Sequence, residues 1–205
     1  MNIGILALQG AFAAHKRVFC ELGGHVTLVR TPDQLAQVDG LVIPGGESTT
    51  MSMLLDSSGL REPLVHRVAS GLPVFGTCAG LIVLASEIVD GRSDQEPLEV
   101  LDVKVRRNGY GRQIDSFETQ LFIENGRRVS EMNGVFIRAP RVESASEAVE
   151  VLAEVEGDPV LIRQRNVLAA TFHPELGDNN CVHEMFIEMV AEYGRTNTES
   201  EQVRS

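Results

Sequence analysis

The stretch Leu72-Pro73-Val74-Phe75-Gly76-Thr77-Cys78-Ala79-Gly80-Leu81-Ile82-Val83-Leu84-Ala85 decides how this chain is read. A short apolar run enters a Gly-x-Cys-x-Gly centre, and an apolar, helix-like run leaves it. That order describes a strand, a sharp turn and a helix, the shape of a nucleophile elbow with cysteine in the serine's place. Glycine on both sides suits a turn that a side chain would crowd. A thiol at the start of a helix faces free N–H groups and the positive end of the macrodipole, which favour the reactive thiolate.

Working outward, the first half of the chain alternates strand and helix signals. Ile3–Leu8 is a near-continuous apolar run, as expected of a parallel strand covered on both faces. Ala11–Leu22 has helical spacing and stops at Gly23-Gly24. His25–Arg30 reads as a second strand, and Thr31-Pro32-Asp33 opens a short helix. Leu41–Ile43 is a third strand, ending at Pro44-Gly45-Gly46. Helices around Thr49–Leu55 and Arg61–Ser70 precede the fourth strand, Pro73–Phe75, which delivers Cys78. This rhythm predicts an α/β fold with a doubly wound, mainly parallel sheet flanked by helices. The middle differs: Val100–Arg106, Glu118–Ile123, Val135–Ile137 and Val149–Glu154 are short runs broken by Gly, Asn and Pro. They predict a mixed or antiparallel extension. Val160–Arg163 and Val167–Phe172 read as a hairpin, His173-Pro174-Glu175 follows, and a helix over Asn180–Tyr193 closes the fold. Residues 1–193 are expected to form a single domain, and the polar tail 194–205 to lack structure.

Composition narrows the function. The 205 residues suffice for a substantial core, and 43% apolar with 23% charged residues is ordinary for a globular chain. A net charge of −11 argues against nucleic acid or an anionic membrane as partner. Three cysteines without a Cys-x-x-Cys pair argue against a disulfide framework and for a reducing compartment, the cytoplasm. Met1–Leu8 lacks a basic leader and a cleavage site, so a strand is expected there. No apolar run approaches the roughly 20 residues that span a bilayer.

A reactive thiol needs a base and a group that orients the base. His173 directly follows the last strand of a parallel sheet, at the edge where Cys78 also emerges. In extended chain, residues i and i+2 share a side, so Glu175 can lie beside His173 and hold its tautomer, completing a Cys-His-Glu triad. Pro44-Gly45-Gly46-Glu47-Ser48 ends the neighbouring strand, and the Gly46 and Ala79 amides are the natural oxyanion donors. The remaining residues read more plainly. Cys20 and Cys181 are small hydrophobes in helical patterns. His15, His25, His66 and His183 are surface or structural. Cys181 and His183 near Asp178 fall short of a metal site, and no metal or cofactor is expected.

Taken together, Pro44–Ser48, Gly76–Gly80 and His173–Glu175 resemble the motifs of class I, triad-type glutamine amidotransferases. Further segments narrow the match: Gly4-Ile5-Leu6-Ala7-Leu8-Gln9-Gly10, Gly46-Glu47-Ser48-Thr49-Thr50-Met51, Arg107-Asn108 with Gly111-Arg112-Gln113 and Asp115-Ser116-Phe117, and Gly134-Val135-Phe136-Ile137-Arg138-Ala139-Pro140. They resemble the glutaminase subunits of pyridoxal 5′-phosphate synthase, over essentially the whole chain to Tyr193. The resemblance implies hydrolysis of L-glutamine to glutamate and ammonia, with ammonia passed to a separate, barrel-shaped synthase subunit. Activity would be weak alone and strong with that subunit. By motif position Cys78 is the nucleophile, His173 the general acid/base and Glu175 its orienter, while Gly46, Glu47, Ser48, Arg107, Ile137 and Arg138 hold glutamine. Either Arg107 or Arg138 can clamp the substrate carboxylate. Without the resemblance, Arg107 reads as a surface strand charge. Asp90–Pro97 and the tail look like local elaborations, and Arg106 makes its strand more basic than the function needs. Two alternatives stand: the amidotransferase of another pathway, against which the Gly-Glu-Ser-Thr-Thr and Phe-Ile-Arg-Ala-Pro segments weigh, and a non-catalytic module, against which the intact Cys78, His173 and Glu175 weigh.

Overall fold

The alternation read from the first half is observed. A computed structural model of the chain describes residues 1–109, 116–126 and 128–202. The elements run β1 (Asn2–Leu6), α1 (Phe12–Glu21), β2 (His25–Val29), α2 (Pro32–Ala36), β3 (Gly40–Ile43), α3 (Ser48–Ser57), α4 (Arg61–Ala69), β4 (Val74–Thr77) and α5 (Ala79–Leu84). Then follow β5 (Ala85–Ile88), β6 (Leu101–Arg106), β7 (Ser116–Asn125), β8 (Arg128–Ile137), β9 (Arg141–Ala145), β10 (Glu150–Val155), β11 (Asp158–Gln164) and β12 (Val167–Ala170). A 3-10 turn (Pro174–Leu176) and α6 (Cys181–Gln202) end the chain.

Among the described residues, seven strands form the central sheet in the order β10-β11-β12-β4-β3-β1-β2. From β12 to β2 the pairing is parallel, and β10-β11-β12 is an antiparallel meander on one edge. Strand alternation divides the core into two layers. Ile3, Ile5, Val42 and Phe75 face Phe19 of α1 and Val182, Phe186 and Val190 of α6. Leu6, Leu41, Ile43 and Val74 face Leu35, Met51, Leu55, Leu64 and the apolar side chains of α5. Helices on both faces explain why these short strands are almost continuously apolar.

The mixed extension comprises β5, β6 and β9, in which β5–β6 is parallel and β6–β9 antiparallel, and the hairpin β7–β8. Here the structure departs from local expectation. The apolar run after Cys78 stays helical only to Leu84, and Ala85 begins β5. β9 carries no strand signal of its own, and β8 begins at Arg128 rather than Val135. Both are made strands by partners distant in sequence, β6 and β7, so periodicity cannot reveal them. α6 passes the Tyr193 boundary to Gln202, because Gly194 alone costs only about 1 kcal/mol in a helix and the residues beyond it include no proline. Arg106 donates to Glu143 across β6–β9 (2.6 Å), which accounts for the extra basic residue.

Register positions the loops that matter. Ile43 pairs with Gly76, and Thr77 with Ala170. The segments after β3, β4 and β12 therefore leave one edge of the sheet side by side. The elbow glycines are needed for close packing rather than unusual torsion. A Cβ on Gly80 would land on the carbonyl oxygen of Ile43, and one on Gly76 would meet the Gly80 carbonyl carbon at 2.8 Å.

The Gly80→Ala variant is expected to lose about 1–3 kcal/mol, since a clash with backbone cannot be relieved by a rotamer change. Gly194→Ala, where an added Cβ meets nothing within 4 Å, is expected to gain about 0.4–1 kcal/mol. Urea unfolding of both variants checks the contrast, and equal effects would contradict it.

Candidate active site

Cys78 sits between β4 and α5 with φ 49° and ψ −103°, a conformation that non-glycine residues avoid. The structure around it imposes this strain. Its N–H donates to the Ala170 carbonyl (2.9 Å), and α5 is drawn onto β3 through Gly80. Such a residue costs roughly 1–3 kcal/mol. The thiol is 7% exposed, with Sγ 3.9 Å from the Ile137 carbonyl oxygen. Ala79 opens α5, so its N–H belongs to the first turn, which has no intrahelical acceptor.

His173 is anchored through its N–H to the Val135 carbonyl (2.8 Å), and its Nδ1 lies 2.8 Å from Glu175 Oε1. The contact expected from sequence is present, but its cause differs. Pro174 starts a 3-10 turn, so Glu175 reaches the imidazole around a tight turn rather than along extended chain. Burial works against the imidazolium. The hydrogen bond to Cys78, the hydrogen bond to Glu175 and the nearby negative charges outweigh it and raise His173 to about 10. Burial likewise opposes the Glu175 carboxylate, yet His15 and the bond to His173 hold it below the usual range. Cys78, His173 and Glu175 thus form one connected line.

The Pro44–Ser48 segment closes over this line. Gly45 packs against it: an added Cβ would meet His173 Cε1 at 2.5 Å and Cys78 Cβ at 3.4 Å. The Gly45 carbonyl accepts from the Ala11 amide (2.9 Å), so in the trans peptide that follows the Gly46 N–H faces away from Ala11. Gln9 clamps the next residue at both ends, its Nε2 donating to the Glu47 carbonyl (3.0 Å) and its Oε1 accepting from the Glu47 N–H (3.2 Å). The Glu47 carboxylate caps α3. It accepts from the Thr49 N–H (3.1 Å), the Thr50 N–H (2.7 Å) and the Thr50 hydroxyl (2.7 Å). Partial burial opposes its charge, but these donors bring it down to about 2. Arg107 Nη2 adds an ion pair at 3.1 Å, so both Glu47 oxygens are committed.

A cleft of about 250 Å³ opens over Cys78. Gly46, Glu47, Ser48, Arg107, Ile137 and Arg138, the residues expected to hold a substrate, all line it, as do Ala79 and His173. Asn108 and Ile82 complete the wall and are additions to the expected set. The two arginines differ. Arg107 is held by Glu47 and by Gln95 Oε1 (3.1 Å), whereas Arg138, at φ 44°, has no side-chain partner among the described residues. Arg112, Gln113 and Asp115 of the narrowing motif lie outside the described residues.

Gln95 was not expected. It is 7% exposed, donates to Ser48 Oγ (2.9 Å) and accepts from Thr49 Oγ1 (3.1 Å) as well as Arg107. Asp90 accepts from the Arg107 N–H (2.7 Å). The Asp90–Pro97 segment is therefore support for the cleft rather than a detached elaboration. No residue pattern signals this, because it depends on a loop folding back over α3. The four histidines read as surface or structural divide: His25 and His66 are exposed, and His15 and His183 are fully buried behind the line of three. Cys20 is exposed on α1 rather than packed. Cys181, which burial pushes up to about 11, lies against Met132 sulfur (3.8 Å), Asp178 accepts from the Asn133 amide (2.9 Å), and His183 turns to His15 (3.1 Å). The three side chains do not converge. No helix among the described residues is long and apolar enough to cross a membrane.

The raised value of His173 sets a pH dependence. A histidine raised on folding contributes stability that is fully present below its ordinary value of 6.5 and is lost as pH rises through about 10. The stability gap between the wild-type chain and His173→Asn is expected to narrow as pH is raised across that window. Thermal melts at intervals of pH test it, and a gap that widens would contradict it.

The family model described as the SNO glutamine amidotransferase family matches residues 5–192. A protein of Corynebacterium jeikeium named pyridoxal 5′-phosphate synthase subunit PdxT is 51% identical over 195 residues, covering 95% of this chain and 99% of that one. The protein of the same name from Fervidobacterium nodosum is 50% identical, covering 94% and 99%. A crystal structure described as a glutamine amidotransferase is 45% identical with a TM-score of 0.86, covering 92% and 98%. A chain in the structure of PurLQS from Thermotoga maritima, at 13% identity and a TM-score of 0.65, covering 94% and 98%, shares the fold. An elbow cysteine joined to a His-Glu pair at one sheet edge, with matches spanning nearly the whole chain, leads to one conclusion: the chain belongs to the SNO glutamine amidotransferase family.

Proposed function

We propose that the chain is the glutaminase subunit of a pyridoxal 5′-phosphate synthase, hydrolysing L-glutamine to glutamate and ammonia for a separate synthase subunit. The observation that carries this reading is the connected Cys78–His173–Glu175 line under the cleft, in a chain about half identical to proteins of that name.

In this reading Cys78 attacks the side-chain amide carbon of glutamine as the thiolate, and His173 as imidazolium gives its proton to the departing nitrogen. The carbon–nitrogen bond breaks, ammonia leaves and a γ-glutamyl thioester remains. His173, now neutral, takes a proton from water as the water attacks, and glutamate is released. Glu175 keeps the His173 tautomer and stabilises the imidazolium. The Gly46 and Ala79 amides meet the oxyanion, and removing one such donor typically costs about 10²–10³ in rate. Arg138, uncommitted at the rim, takes the substrate α-carboxylate. Glu47 has no free oxygen and instead holds Arg107 and the mouth of α3, with Ser48 and Ile137 closing the sides. The partner is the barrel-type synthase subunit, and the setting is the cytoplasm, in keeping with three free cysteines. Because Gln9 and Ala11 tie the β1–α1 loop to the Gly45–Glu47 loop, a partner that orders one orders both.

Cys78→Ala is expected to abolish ammonia release with the fold and partner binding intact, and near-normal turnover would overturn the reading. Wild-type turnover is expected to rise when the synthase subunit is added; equal rates with and without it would contradict the role given to the loops. Arg138→Ala is expected to raise KM for glutamine by about 10- to 100-fold, the scale of one lost hydrogen bond between charged groups, with kcat affected less. The same KM shift from Arg107→Ala alone would move the carboxylate contact to Arg107.

A further inference from the structure

His15 on α1 and His183 in the first turn of α6 are fully buried, yet nothing in the chemistry above uses them. Aromatic rings wall them in. His183 meets Phe19 and Phe75 edge-on at 5.1 and 5.8 Å, and His15 meets Phe75 edge-on at 6.1 Å. An apolar box is a costly place for two imidazoles, and simple packing would be served better by apolar side chains. Their polar atoms nevertheless point along one line. His183 Nε2 lies 3.1 Å from His15 Nδ1, and His15 Nε2 lies 3.1 Å from Thr77 Oγ1 and 3.4 Å from Glu175 Oε2. Thr77 is the residue before Cys78, and Glu175 is the partner of His173.

Counting hydrogens decides which way the line runs. Burial, the largest influence, lowers His15 and takes His183 down to about 3, so each ring is neutral and carries one hydrogen. Glu175 Oε1 is taken by His173, while Oε2 is buried with no hydrogen-bond partner, the His15 Nε2 contact at 3.4 Å lying beyond one. If the His15 hydrogen is on Nε2, it meets Thr77 Oγ1 at 3.1 Å and lies beside Oε2, 3.4 Å away. The bare Nδ1 then accepts from His183 Nε2–H, and the leftover lone pair falls on His183 Nδ1, an atom with no partner. The reverse assignment strands a buried N–H on His183 and turns a lone pair toward a carboxylate oxygen. An unmet charged group and an orphaned donor cost more than one idle imidazole lone pair, so the first arrangement wins.

We propose that His15 is a positioning residue of the glutaminase: its Nε2–H, oriented by His183 and lying between Thr77 Oγ1 and the outer oxygen of Glu175, attracts that oxygen and so biases the carboxylate rotation that presents Oε1 to His173. This deepens the glutaminase reading and rests on it. A carboxylate held at one oxygen turns easily about its last torsion, and with it the imidazole. With its second oxygen drawn toward His15, it keeps His173 aimed at Cys78, as outer-shell partners aim ligands elsewhere.

The test compares His15→Asn, His15→Gln and His183→Phe with wild type, as full chains, by ammonia release from glutamine in the presence of a synthase subunit. His15→Asn is expected to lose about 10- to 100-fold in kcat, the scale of one hydrogen bond to a charged group, with KM unchanged. His15→Gln, whose amide nitrogen reaches the Nε2 position, is expected to recover most of that loss, and His183→Phe to fall between. An unchanged kcat in folded His15→Asn, a loss confined to KM, or no recovery by Gln would overturn the proposal. Imidazole ¹⁵N shifts of the wild-type chain give a readout independent of whether the variants fold. The Nε2–H form of His15 is expected, and the Nδ1–H form would overturn the proposal. An inactive wild-type chain would defeat the glutaminase reading itself, and this inference with it.

Discussion

The parallel hydrogen bonding of β4 between β3 and β12 is the constraint on which the site depends. Because Ile43 pairs with Gly76 and Thr77 with Ala170, three chain segments far apart in sequence leave the sheet at one edge. Parallel strands end on the same side, this register sets their ends level, and a shift of one residue would turn the side chains that follow to the other face. The α5 helix must then start immediately and lie close to β3, which Gly80 allows by bringing backbone against the Ile43 carbonyl. The positive φ of Cys78 is the consequence: the thiol stands above the sheet edge because neither the strand before it nor the helix after it can move.

Charge is handled at two depths, with different results. His173 and Glu175 are nearly buried, so each would be unfavourable alone and each needs the other. A buried, mutually dependent pair can hold a proton at one defined atom, which is what acid–base work requires. Glu47 and Arg107 lie nearer solvent, where an ion pair contributes less than about 1 kcal/mol. Their value is geometric: Glu47 joins the cap of α3, the Gln9 clamp and the Arg107 guanidinium into one rim. The acidic chain thus keeps a small, locally balanced site, in which Arg138 is the lining cation without a side-chain partner among the described residues.

The parts legible in the sequence were those whose signal is local. The βα rhythm shows because strands buried on both faces are apolar throughout. The elbow shows because Gly-x-Cys-x-Gly between a strand and a helix is a local pattern, its glycines leaving the room that α5 needs against β3. Proximity of His173 and Glu175 is legible from a spacing of two, even though a 3-10 turn rather than extended chain brings them together. The illegible parts rest on pairing across distance. β9 and most of β8 are strands because β6 and β7 lie beside them. Gln95 serves the cleft because its loop returns over α3, and the polar run around it has no periodicity to follow.

The fold class, the cysteine at the elbow, the histidine and glutamate that join it, and the glycine loop beside them are legible in the residues alone. Each is encoded in residues no more than a few positions apart, where backbone sterics and strand or helix period leave one reading. Packing alone settles that Arg138, among the described residues, lines the cleft without a side-chain partner, that both Glu47 oxygens have donors, and that His15 and His183 stand behind the site. Those facts are distances between α1, α3, α6 and the sheet edge. They exist only once the two faces of the sheet are covered and the buried polar atoms must find partners among whatever the packing has brought near.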